Sequence, residues 1–219
     1  QSNHLKAYGV TFWVLGNGVE AQWLLNYRGG SFMLPNINSI AEECVIRGVS
    51  FNIIADVQAD QILNEISATE ANMESVKLEK SPKIAVYSPA GKLPWDDAVT
   101  LVLTYAEIPY EIVYDEEVMS GVLPKYDWLH LHHEDFTGQF GKFYKAFRTA
   151  TWYQDEVDSQ NASANFMGFQ KVSEMKREVS LTIRNFVLGG GFLFTMCSGT
   201  DSFDIALAAQ KVDICDPMF

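Results

Sequence analysis

The chain has 219 residues, enough for one large domain, or an ordinary domain with a smaller partner, around a substantial core. A hydrophobic fraction of 47% beside 20% charged residues excludes collagen-like and disordered classes, and no apolar run approaches the ~20 residues that span a bilayer, so no transmembrane segment is expected. The net charge of -12 gives a surface that repels phosphate backbones, so nucleic acid is not an expected partner.

Basic residues are scattered. The densest group is Lys171, Lys176 and Arg177, and the last two sit among glutamates as on a solvated helix face. Three cysteines, Cys44, Cys197 and Cys215, are too few and too dispersed for a disulfide framework or a zinc knuckle, and each is judged alone. The sequence opens at Gln1 without methionine. The polar start suits a position just after a signal-peptide cleavage site, hence a periplasmic or secreted protein, although any other truncation would read the same.

Residues 7–15 and 20–28 are rich in β-branched and aromatic residues, and Gly16-Asn17-Gly18-Val19 between them predicts an antiparallel hairpin. Helices are expected over 39–48 and 57–76. Residues 1–80 thus read as an α+β hairpin-and-helix appendage. From Lys83 the order becomes strand, loop, helix, strand, the pattern of an α/β domain with an open parallel sheet flanked by helices, over 81–219. Strands are expected at 83–88, 110–115, 126–133 and 192–197, the last read as buried. Asp96 is the expected N-cap of a helix over 97–108 that Pro109 ends. Residues 134–166 form a long polar and aromatic excursion.

The next helix, about 169–187, carries Val172, Met175, Val179, Ile183 and Phe186 on one face. A short helix follows over 201–210, and KVDICDPMF reads as the start of a further strand in a fold that continues past Phe219.

Cys197 falls between a strand and a helix, where a strained turn can expose a nucleophile above the sheet edge. A helix N-terminus favours a thiolate and offers amides to a developing oxyanion, and ligands of open α/β sheets bind at the carboxyl ends of strands. The bland alternative is a buried, inert thiol. His130, His132, His133, Glu134 and Asp135 end the third expected strand, with His130 and His132 on one face. They are hydrogen-bonded groups at a sheet edge or ligands for a divalent metal, without a specific zinc spacing. Trp95, Asp96 and Asp97 follow the first of these strands and read as a helix cap facing the same crevice. Tyr126, Trp128, Phe140, Phe143, Tyr144, Phe147, Trp152 and Tyr153 make the middle of the chain aromatic, as core or as a ligand- or glycan-stacking surface.

The run GGFLFTMCSG after an amphipathic helix resembles the nucleophile turn of class I glutamine amidotransferases, with Cys197, Ser198 and Gly199 matching its Cys-x-Gly core. Thr195 stands where the family usually has glycine and Asp201 where it often has glutamine, and no histidine follows His133 to supply the later His-x-Glu pair. The resemblance covers about 83–210. It implies a flavodoxin-like fold, a small-molecule substrate, no cofactor, Cys197 as nucleophile and His132 or His133 as base. It further implies an oxyanion site from Ser198, Gly199 and the loop with Gly138 and Gly141, beside Glu134 and Asp135. The same fold without turnover would be a cell-envelope ligand- or glycan-binding module.

Ser198-Gly199-Thr200-Asp201-Ser202 resembles the SGGxDS pyrophosphate loop of ATP pyrophosphatases such as asparagine synthetases, one residue short and without the second glycine. The whole chain, from HLKAYGVTFWVL through LLNYRGGSFM to YDWLHLHHEDFTGQFGKF, also resembles a group of secreted Bacteroidetes proteins often labelled asparagine synthetase B. The N-terminal cysteine that a true asparagine synthetase needs is missing.

Overall fold

The computed structural model describes residues 4–68, 70, 72–89, 97–139 and 141–216. The chain forms two compact units: residues 1–81 with 94–109, and residues 82–93 with 110–219.

The first unit contains α1 (His4–Gly16), β1 (Ala21–Leu25), β2 (Ser31–Met33), α2 (Asn38–Ile46), α3 (Asp56–Ile66), β3 (Glu74–Leu78) and α4 (Ala98–Ala106). The strands make an antiparallel sheet in the order β2-β1-β3. The hairpin expected over 7–28 is not formed, because its first half is α1. The buried residues Val10, Thr11, Val14 and Leu15 lie three and four apart, and this periodic burial prevails over the β propensity of Val, Thr, Phe and Trp. Gly16-Asn17-Gly18 then closes a helix. Gly18 has φ 75°, and the Val19 amide donates to the Val14 carbonyl at 3.2 Å.

The helix expected over 57–76 ends at Ile66, where Ser67 Oγ donates to the Asn64 carbonyl at 2.9 Å. Residues 74–78 instead pair with β1 from Ala21↔Leu78 to Leu25↔Glu74, so β3 is a strand whose partner lies about fifty residues earlier. Asp97, not Asp96, caps α4, accepting from the Val99 amide at 2.7 Å; Trp95 and Asp96 lie outside the described residues. Helices α1 and α4 touch closely: a Cβ on Gly9 would lie 1.7 Å from the Ala106 carbonyl oxygen.

The second unit contains β4 (Ile84–Tyr87), β5 (Glu111–Val113), α5 (Asp115–Met119), β6 (Trp128–Leu131), α6 (Gly141–Phe147), α7 (Thr151–Phe166), α8 (Val172–Leu188), β7 (Phe192–Thr195) and α9 (Cys197–Ala208). The four strands form a parallel sheet in the order β5-β4-β6-β7. The chain steps from β4 to β5 on one side and then to β6 on the other, so the strand order reverses at β4/β6, the position where ligands enter such sheets. One face carries Ala85, Tyr87, Leu129 and Leu131 into a core with Met175, Val179 and Ile183 of α8 and Phe203 of α9. The expected excursion over 134–166 is largely helical, as α6 and α7.

Three expectations in this unit need correction. Among the described residues β7 is an edge strand next to β6, and it exposes Phe192 (59%) and Phe194 (45%) where a buried run was expected. Among the described residues no strand forms after α9. There Asp213 pairs with Lys171 at 2.9 Å and the Cys215 thiol donates to the Thr137 carbonyl at 3.4 Å. Lys176, expected on a solvated face, is 1% exposed, because its ammonium is met by a buried carboxylate and two phenols. Its place four residues after Val172 on the apolar stripe is the signal that could have shown this.

Candidate functional site

Strand pairing runs on to Met196, whose amide donates to the Leu131 carbonyl at 3.0 Å, and the chain then turns abruptly into α9. Cys197 makes that turn with φ 53°, a left-handed conformation that costs a non-glycine residue of order 1–3 kcal/mol and is concentrated at functional sites. Its side chain is exposed. Cys197 therefore sits at the carboxyl end of β7 and at the first position of a 12-residue helix, at an accessible sheet edge.

The loop after β6 is stitched to this turn by three hydrogen bonds to consecutive carbonyls. The Gly199 amide donates to His132 O at 2.7 Å, Ser198 Oγ to His133 O at 3.0 Å, and Ser202 Oγ to Glu134 O at 2.9 Å. A Cβ at position 199 would stand 2.2 Å from His132 O, so only glycine permits this approach. The Gly199 amide thus serves docking of the loop. The turn with Cys197, Ser198 and Gly199 and the loop with His132, His133 and Glu134 form one assembly.

The histidine and carboxylate run divides. His130 is buried and its ring stacks on Phe194 with centroids 5.7 Å apart; His132 follows on the same side at 6.1 Å, and the His132 and His133 rings lie 3.7 Å apart. Glu134 turns to the opposite side, where Tyr114 Oη donates to its carboxylate at 3.5 Å. Asp135 Oδ1 accepts from the amide and hydroxyl of Thr137, at 2.8 and 2.6 Å, and shapes its own loop. Gly138 has φ 69° and its close approach is to the Ser173 backbone of α8, 2.8 Å from a Cβ placed there; Gly141 opens α6. Gly138 is thus held against α8 rather than stitched to the Cys197 turn.

Beneath the assembly lies a buried polar network that the sequence reading missed. Lys176 Nζ donates to Asp115 Oδ2 at 2.7 Å, to Tyr87 Oη at 3.0 Å and to Tyr114 Oη at 3.3 Å, while Tyr87 donates to the other Asp115 oxygen. Tyr87 ends β4, and Tyr114 and Glu134 come after the neighbouring β5 and β6, so the network closes the carboxyl edge of the sheet from inside. Burial, with Asp115 and Glu134 nearby, pushes both tyrosine hydroxyls well above their ordinary range and holds them as donors. Burial likewise raises the thiols of Cys44 and Cys215.

Of the aromatic residues, Tyr153 is buried, whereas Phe143, Phe147 and Trp152 are exposed and pack on one another with centroids 5.2 to 6.2 Å apart; Phe140 lies outside the described residues. Among the described residues no helix is long and apolar enough to cross a membrane. Comparisons with protein families, with curated proteins and with solved structures give no match.

Proposed function

We propose that this chain is a glutamine amidotransferase-like protein of flavodoxin-like fold, acting as a cysteine-dependent amidase, hydrolase or transferase on a small molecule. The observation that carries the reading is Cys197: an exposed thiol, strained to positive φ, at a strand-to-helix turn on the carboxyl edge of a parallel sheet. The strand order reversing at β4/β6 and the docked histidine loop support it.

In the reaction, Cys197 Sγ attacks the substrate carbonyl carbon while His132 or His133 accepts the thiol proton. The amide of Ser198 and the N-terminus of α9 stabilise the oxyanion. The tetrahedral adduct collapses to a thioester as the C–N bond breaks, and the histidine returns its proton to the leaving amine. Water or an acceptor nucleophile then cleaves the thioester and restores the thiol.

The test is turnover of a panel of primary amides and glutamine by the wild type and by Cys197→Ser, with the thioester trapped and weighed by mass spectrometry. Turnover and adduct only in the wild type support the reading. Equal background from both proteins, with no adduct, overturns it.

A further inference from the structure

Among the described residues the first unit has two separate hydrophobic clusters instead of one. Val10, Val14, Ile40 and Cys44 form the first, and Leu24, Tyr27 and Ile66 the second. Between them lies a cleft of about 340 Å³ lined by Val10, Ile40 and Cys44 from one side and Leu24, Met33 and Ile62 from the other. Protein interiors rarely leave voids much larger than a water, and this volume falls in the range of small-molecule sites, roughly 300–1,000 Å³. The irregular segment 49–55, between α2 and α3, runs along it and supplies Val49 and Ile54 to the lining.

The charge of the lining is unlike that of the chain. Among the described residues that line the cleft none is Asp or Glu, although the chain carries 28 of them. Its one full cation is Arg28, which is exposed, stands at φ 51° in the turn before β2 and forms no ion pair with a described carboxylate. Its guanidinium meets the Tyr27 ring, 5.3 Å from the centroid, which leaves hydrogen-bond donors for another partner. A cleft lined mostly by apolar residues, with His4, Thr11, Ser31, Asn36, Ser50 and Asn52 among them and Arg28 at its rim, in a strongly acidic protein, is complementary to a molecule with a hydrocarbon body and one negative head.

We infer that the first unit binds a small aliphatic carboxylate, its chain filling the cleft between the two clusters and its head paired with Arg28. Every residue that lines the cleft belongs to the first unit, whereas Cys197 belongs to the second.

The test is isothermal titration of the full chain with straight-chain carboxylates from hexanoate to dodecanoate, and with octanol beside octanoate. The expected result is saturable binding of one molecule per chain. Affinity rises about fourfold per methylene until the cleft is full and then levels off. Octanoate binds about tenfold more tightly than octanol, and Arg28→Gln removes that difference while octanol binding stays. Ala41→Phe, which fills the cleft from α2, weakens both ligands, with folding checked by circular dichroism. The proposal is overturned if no ligand saturates, if wild type binds octanol and octanoate equally, or if affinity climbs without a plateau as in adsorption to exposed apolar surface. Self-association that competes with octanoate would assign the cleft to a second copy and likewise overturn it.

Discussion

Lys176 and Asp115 form an ion pair of 2.7 Å in which both side chains are 1% exposed, beneath the carboxyl edge of the parallel sheet. Such a pair contributes little net stability compared with apolar residues of the same size, but removing one partner leaves an uncompensated buried charge. Lys176→Met should therefore destabilise the protein by about 3–5 kcal/mol in urea unfolding, whereas Lys176→Met with Asp115→Leu should recover most of the loss. A single variant as stable as wild type would show that the pair is solvated.

The tyrosines of this network differ from the half-buried Tyr126 in the alkaline limb of a spectrophotometric titration. Tyr87 and Tyr114 are expected to stay protonated until the fold gives way, because burial and neighbouring carboxylates oppose a phenolate. Tyr126, pushed up to about 12 by partial burial and its bond to Glu111, ionises before them. Tyr87→Phe and Tyr114→Phe should leave the early part of the curve unchanged.

Gly199→Ala tests the docking of the histidine loop. The added methyl would meet His132 O at 2.2 Å, so either the loop or α9 must move. A loss of roughly 1–3 kcal/mol is expected from the overpacking. Any amide turnover should fall with it, while Cys197 stays open to alkylation. Unchanged melting and turnover together would mean that the loop is not held at that distance.

Alkylation of folded protein with iodoacetamide near neutral pH, read by peptide mass spectrometry, should label Cys197 first. Its thiol is exposed, whereas Cys44 is buried and Cys215 half-buried, with burial raising both thiols. Labelling of all three at one rate, or of Cys197 only after unfolding, would remove the basis for assigning it as nucleophile.

Glu107 follows α4 and pairs with Lys6 of α1 and, at 3.4 Å, with Arg47. The hydrogen bond from Lys6, then the charge of Arg47, hold its carboxyl below the ordinary 4.5. A depressed carboxyl contributes stability above its unfolded-state value, and that contribution is lost as pH falls from 4.5 through the lowered folded value. Glu107 is about half exposed, so screening keeps the effect below about 1 kcal/mol. Glu107→Gln should flatten the acid limb of a melting curve by that amount and leave neutral stability only slightly reduced.

The parallel half of the fold was legible because its signals are local. The strands Ile84–Tyr87, Glu111–Val113, Trp128–Leu131 and Phe192–Thr195 are short β-rich runs bounded by loops, and the spacing of Val172, Met175, Val179 and Ile183 is enough to read α8. The placement of Cys197 between strand and helix follows from the same local grammar. Its left-handed backbone does not, because that depends on how β7 meets α9.

The sequence by itself determined the four strands of the second unit, the stripe of α8 and the junction at Cys197, since each is carried by residues within one turn or one strand of each other. Tertiary structure decided the rest. Residues 4–16 suit either a helix or a strand, and the buried face of α1 against α2 and α4 selects the helix. β1 finds β3 about fifty residues on, and Lys176 finds Asp115 and Tyr87 from 61 and 89 residues away. Pairings at that range depend on which distant surfaces meet, and no local propensity encodes them.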